Sequence, residues 1–522
     1  MSVVRHLLSA VWAGAVIASA GTPSPAPGPA ASGGDACAAV IDASVSRRLT
    51  RLGVEPSDRC SDATFVRRVY LDAIGTLPSA AEVRGFLEER DARKREALVD
   101  RLLARDEFAD YWAMKWCDLL RVKSEFPINL WPNAVQAYHR WIRTALKENV
   151  PYDRFARELL TASGSNFRVP QVNFYRAVQA KTPEGLAQAA ALAFLGERTE
   201  TWPAARRDGL AAFFSQVGYK ATSEWKEEIV YFNPAASNAL MSAVFPDGAA
   251  VEFAPDQDPR AVFAEWLTSP RNATFARCEA NRVWAWLMGR GIVDEPDDFR
   301  PDNPPSNSEL LDLLARALVD ARFDAKRLYA AILKSQTYQR DSVPRSTDPS
   351  AERNFAFCAV RRLDAEVLID ALNRITGSGE KYTSNIPEPF SHIPESLRTI
   401  ALADGSITSP FLSLYGRSPR ETGLFGERPV EPTAAQRLHL LNSSHIQRKL
   451  EGAEPLFAAL RQEGMGPREI ADELFLTILS RHPTDDELAA VAAYRSQMGP
   501  GRRVALDLAW ALVNTAEFQY RH

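Results

Sequence analysis

The sequence predicts a mainly α protein: two packed helical domains with a small β or irregular insert between them. Three observations carry that expectation. Helix-start signals recur along the chain, with Ser79 and Glu82, Ser306 and Glu309, and Thr484 and Glu487 each placed three apart as in a capping box. Apolar residues fall on one face at the 3.6-residue period, as in Trp112, Trp116, Leu119 and Leu120, and again in Leu310, Leu314, Ala317 and Leu318. Strand signals are sparse and gather between Gly218 and Phe253. The clearest are Ile229–Phe232 and Ala250–Phe253.

The N-terminus reads as a targeting signal. Arg5 supplies the positive start, Leu7 to Ile17 the apolar core and Ala18-Ser19-Ala20 the small-residue cleavage site, so residues 1–20 are expected to be a signal peptide. Residues 21–42 open with GTPSPAPGPAASGG and read as a Pro/Ala/Gly-rich linker. The expected location is periplasmic or secreted, with no stable membrane span after cleavage. At 522 residues the chain has room for two or more cores.

Composition narrows the partners. Sixty-two basic against 66 acidic residues give −4, which implies neither a nucleic-acid partner nor an acidic tail. Five cysteines, Cys37, Cys60, Cys117, Cys278 and Cys358, form no CxxC or CxxCH. Outside the cytosol a disulfide is permitted, and Cys37 with Cys60 is the expected pair by position. The other three stand in apolar helical contexts and read as buried thiols. No HExxH, GxSxG, P-loop or dinucleotide glycine motif occurs.

The segment from Asn281 to Leu311, NRVWAWLMGRGIVDEPDDFRPDNPPSNSELL, is the most distinctive of the chain. It resembles the signature of a tandem pair of domains of unknown function, numbered 1549 and 1553. In secreted planctomycete proteins this pair is common beside cytochrome-c-like domains. Further pieces of the first domain are FVRRVYLDAIGTLPSAAEV, LVDRLLARDEFADYWAMKWCDLLR, YHRWI and NVPYDRFARELL. Further pieces of the second are DPRAVFAEWLTSP, FDAKRLYAAILKSQTYQ, RRLDAEVLIDALN and RLHLLNSSHIQRKL. The resemblance implies a first helical domain over 43–219, an insert or linker over 220–257 and a second helical domain over 258–518.

The departures from that resemblance bear on chemistry. After LAFLG at 192–196 the family continues into CxxCH, a haem-attachment or metal-ligand motif, whereas this chain reads Glu197-Arg-Thr-Glu-Thr-Trp202. Trp286 and Asn307 stand where the family commonly has histidines, and Arg420 to Arg428 lacks an expected Cys-x-Cys. One explanation is a single metal or haem site lost as a unit. The other is a set of unrelated structural residues in a divergent branch. No cofactor and no metal ligand is expected here.

What remains is a polar loop. Arg282, Arg290, Asp297, Asp298, Arg300, Asp302 and Asn303 are the candidate ligand-binding residues, because bidentate arginines suit an anionic or sugar-like ligand. The same residues could simply pin a long loop by Arg–Asp pairs. The histidines at 139, 439, 445 and 482 read as structural or solvated. Three functions stay open: a non-catalytic binding or scaffold protein that has lost its haem or metal ligands, a cell-envelope or polysaccharide-directed enzyme using the Arg/Asp loop, and an accessory partner of a c-type cytochrome. The partner in the first reading is another exported or cell-envelope protein.

Overall fold

The computed structural model describes residues 33–236, 241–453, 464–498 and 502–522. The expected signal peptide at 1–20, and the linker as far as residue 32, lie outside the described residues. The rest of the expected linker is not a linker: residues 33–42 open the helix Gly33–Leu52, whose Ile41, Val45 and Leu49 are buried. Among the described residues no helix is long and apolar enough to cross a membrane.

The architecture is mainly α, and its helices start and stop where local chemistry dictates. Ser79 and Glu82 form the expected capping box of Ala80–Glu88, with each side chain bonding the other's backbone N–H. Thr484 and Glu487 repeat it before Asp485–Met498. The third expected box shifts by one residue. Asn307, not Ser306, caps Ser308–Asp320 by accepting from the Leu310 N–H at 3.1 Å, and Glu309 turns away to pair with Arg47 of the first helix. The expected stripes bury as the period requires, with Trp112, Trp116, Leu310, Leu314 and Leu318 all in the core.

The β content is small and lies where the sparse signals stood. Glu228–Phe232 pairs antiparallel with Val217–Ala221 and with Gly164–Ser165, and Met241–Val244 pairs with Ala250–Phe253. The sheet therefore begins inside the expected first domain and borrows a strand from deep within it.

One helix organises the rest. Ala273–Met288 starts at Asn272, whose side chain accepts from the Thr274 and Phe275 N–H groups, and stops at the left-handed Gly289. Nearly every side chain from Phe275 to Met288 is buried, so the helix has no solvent face. It packs on Ser308–Asp320, Ala325–Lys334 and Pro183–Leu195.

The two halves of the chain interlock. The N-terminal helix packs on Ser308–Asp320 and Ala325–Lys334 of the second half. Arg67 donates to the Ile478 and Phe518 carbonyls, and Arg68 to those of Tyr338, Arg340 and His522, all at 2.8 Å. A single apolar cluster runs from Ile41 to Phe518.

Candidate functional site

The 281–311 segment folds as helix end, loop and new helix. Asn281 pins the loop to the helix: its Nδ2 donates to the Val293 carbonyl and its Oδ1 accepts from the Val293 N–H, both at 2.9 Å. The structure then divides the seven candidate residues into separate groups. Asp298, Arg300, Asp302 and Asn303 form one local knot, with Arg300 2.9 Å from Asp298 and 3.6 Å from Asp302. Asn303 Nδ2 closes it on the Asp298 carbonyl. Arg290 stands apart, paired with Asp294 at 2.9 Å. These charges largely serve each other at a partly solvated surface, which is the loop-pinning arrangement.

Arg282 faces the core. Its guanidinium meets Glu279 at 3.1 Å, the Ala193 carbonyl at 2.9 Å and the Cys278 Sγ at 3.4 Å, and lies over the Trp116 ring. Burial pushes the Glu279 carboxyl up to about 7 even with this arginine beside it. Burial also works against the Arg282 charge, but Cys278, Tyr152 and Glu279 outweigh it and hold the guanidinium charged.

Asp297 is the exception, because it joins three distant segments. It is 3% exposed. Its Oδ1 accepts from Arg198 at 2.9 Å, and its Oδ2 accepts from the Phe425 N–H at 2.9 Å. Arg198 belongs to the 197–202 segment and Phe425 to the 420–428 segment. Nearby, the Phe299 N–H donates to the Gly196 carbonyl, and Trp286 stacks on Phe425 with centroids 6.3 Å apart. Three of the four segments singled out in the sequence, 197–202, Trp286 and 420–428, therefore meet at one junction. Asn307, the fourth, is occupied as a helix cap. The junction's side chains do not suit a haem or a metal: its arginine is already neutralised by Asp297, its indole and phenyl are stacked on each other, and the neighbouring Cys278 is a buried thiol, taken by Arg282 and pushed up to about 11 by burial.

Sequence reasoning missed a second centre, a buried charge network between the halves. Asp118 accepts from Arg420 at 2.9 Å and Arg428 at 2.7 Å. Arg428 reaches Glu366 at 2.5 Å. Asp364 meets Lys115 at 2.9 Å and Arg521 at 3.0 Å, and Arg521 continues to Asp72 at 3.0 Å. Tyr338 Oη also donates to Asp72, at 2.8 Å. Burial alone would raise the Asp364 carboxyl, but Lys115, Arg521 and Arg428 hold it well below the usual range. The residues stand in DLLR (118–121), RRLDAE (361–366) and Arg420-Glu421-Thr422, but an ion pair such as Asp118–Arg420, 302 positions apart, has no local spacing to betray it.

The remaining candidates resolve individually. Cys37 and Cys60 do not form the expected disulfide, and all five cysteines are free thiols. Cys60 is held elsewhere, its N–H on the Gln339 carbonyl and its own carbonyl bound by Arg95. The break between Ala434–Asn442 and Ser444–Glu451 brings the His439 and His445 rings to 5.6 Å, and His445 Nε2 lies 3.1 Å from Glu380. His139 is buried, and burial pushes its imidazole down to about 3. His482 contacts Asp472 at 2.6 Å. Among the described residues no group of three or more His, Cys, Asp or Glu is arranged to hold a metal ion.

None of the curated proteins and none of the solved structures matches the chain. Two family profiles do. Residues 40–202 match PSCyt2, a protein of unknown function (DUF1549), and residues 259–495 match PSD1, a protein of unknown function (DUF1553). The chain thus belongs to the tandem DUF1549–DUF1553 proteins, in that order and without the CxxCH motif.

Proposed function

We propose that this is an exported, non-catalytic helical binding or scaffold protein, from a cytochrome-associated family, whose haem or metal ligands have been replaced by packing groups. The junction at Asp297 carries the reading. Three segments in which relatives place Cys and His come together there, and their contacts are now Arg198 to Asp297, Phe425 to Asp297 and Trp286 on Phe425. A convergence of this kind favours one former site over several unrelated substitutions. The candidate loop supports the same reading, since its arginines and aspartates neutralise each other and leave no carboxylate set apart for proton transfer. Export rests on Arg5, the apolar run from Leu7 and Ala18-Ser19-Ala20. The fitting partner is another exported or cell-envelope protein.

The test is an absorbance spectrum of the full chain expressed with its leader into a bacterial periplasm. The expected spectrum is that of the tryptophans and tyrosines alone, and N-terminal sequencing should begin at Gly21. A Soret band in folded protein would overturn the loss of the haem ligands.

A further inference from the structure

The 123–131 and 383–392 segments each contribute to two features, an exposed aromatic cluster and a hydroxyl-lined cleft. Trp131, Trp225 and Phe390 come from three separate segments and meet as one cluster. Ring centroids are 4.5 Å apart for Trp131 and Trp225, 6.3 Å for Trp131 and Phe390, and 6.2 Å for Trp225 and Phe390. Trp225 is 59% and Phe390 44% exposed, and Phe126 on the same 124–131 segment is 80% exposed. Large aromatic faces are costly to leave in water without a use.

The backbone is strained to present them. Trp131 has φ +73 and ψ 148, a region that essentially only glycine occupies. Asn129 at φ +61 and Lys226 at φ +62 flank it in left-handed conformations. Such strain costs about 1–3 kcal/mol per residue and gathers at binding sites rather than at plain surface.

The same two segments, 123–131 and 383–392, also wall a cleft of about 320 Å³, within the size range of small-ligand sites. Its lining is hydroxyl and amide: Ser384, Asn385, Ser406, Thr408 and Ser413, with Glu125. Its charges are already paired. Lys123 meets Glu421, Arg417 lies 3.4 Å from Glu366, and Glu125 accepts from Ser384 Oγ and from the Asn385 N–H and Nδ2. Two of the hydroxyls, those of Thr408 and Ser413, are only weakly engaged. Thr408 Oγ1 makes only long bonds, 3.5 Å to the Ser409 carbonyl and 3.3 Å to Ser413 Oγ. Each hydroxyl can donate once and accept twice.

We infer that this cleft and its rim bind a neutral glycan chain, with sugar hydroxyls on the Ser, Thr and Asn groups and a pyranose C–H face on the Trp225 ring. A free anion would want uncompensated cations, which the cleft lacks. An apolar protein partner would leave the hydroxyl lining unpaired. The inference gives the binding reading a ligand class, and stands or falls separately from the history of the junction.

The test is isothermal titration of the full chain with cellohexaose, xylohexaose, mannohexaose and chitohexaose, alongside Trp225→Ala and Ser413→Ala. Both side chains are exposed, so circular dichroism should confirm intact folding. At least one hexasaccharide should bind saturably, and Trp225→Ala should weaken it about tenfold, or about 1.4 kcal/mol. Ser413→Ala should weaken the same sugar by a smaller factor. Failure of all four sugars, or equal binding by Trp225→Ala, overturns the proposal. So does a dimer in sedimentation that Trp225→Ala converts to monomer, which would make the rim a protein interface. A Soret band with sugar binding intact would sink the haem-loss reading alone.

Discussion

Two charged side chains three positions apart, Asp297 and Arg300, show how burial sorts charge. Asp297 is buried with two donors aimed at it, whereas Arg300 is partly solvated and paired only with its loop neighbours. Asp297→Ala should cost about 2 kcal/mol in urea unfolding, because it removes the acceptor of the part-buried Phe425 N–H and leaves Arg198 only its longer contact with Glu295. Arg300→Ala should cost about 0.5 kcal/mol or less. Equal losses would mean that Asp297 is one more loop charge and no junction. Glu279 supplies a pH signature. Burial raises its carboxyl from 4.5 to about 7, so the folded state favours the protonated form. Its stabilising contribution is complete below about 4.5 and is lost as pH rises through about 7. The wild type should therefore lose stability between pH 5 and pH 8, and Glu279→Gln should lose less over the same range. Parallel curves for the two proteins would contradict the assignment.

Helix ends were the most legible elements, since a cap is decided within four residues. Residues 69–83 and 474–488 share a pattern, a helix end followed by a proline (Pro78, Pro483) and a newly capped helix, and the structure gives both the same turn. Gly75 and Ser480 each sit at φ 60 and ψ 32, closing Asp62–Ile74 and Pro467–Leu479. The few identities between the stretches thus encode shared helix–turn–helix geometry. Serine is strained where glycine is not, so Ser480→Gly should stabilise by about 1 kcal/mol. Gly75→Ala should destabilise, because its Cβ would collide with the Tyr111 ring. Capping went astray only where a distant residue competed. Glu309 is taken by Arg47, some 260 positions away, which leaves Asn307 to hold the helix start. Asn307→Ala should lower the thermal midpoint by the equivalent of about 1 kcal/mol, and no change would deny it the cap. Asn307 thus has its own local work as a helix cap.

At the scale of the whole molecule the two matched segments do not stand as separate bodies. Lys115 and Asp118 of the first segment pair with Asp364, Arg420 and Arg428 of the second, and Asp72 with Arg521, at the C-terminal end of the chain. Arg428→Ala leaves Asp118 to Arg420 alone and Glu366 to Arg417 alone in the interior, and should cost about 3 kcal/mol. Unfolding should remain a single transition, lowered as one. Two resolved transitions would show that the halves are energetically separate. The mainly α class, the strands near 229 and 251 and the family could all be read from periodicity and motif. The interlocking could not, because it depends on arginines whose partners lie hundreds of residues away. The same distance hid the meeting of Arg198, Asp297 and Phe425, although each position had been marked by a missing ligand or a candidate charge. The most direct measurement of the central claim is elemental analysis of the folded, periplasm-expressed protein. Far less than one equivalent of iron, zinc or copper per chain is predicted. A stoichiometric metal that survives dialysis and is lost on Asp297→Ala would contradict the account.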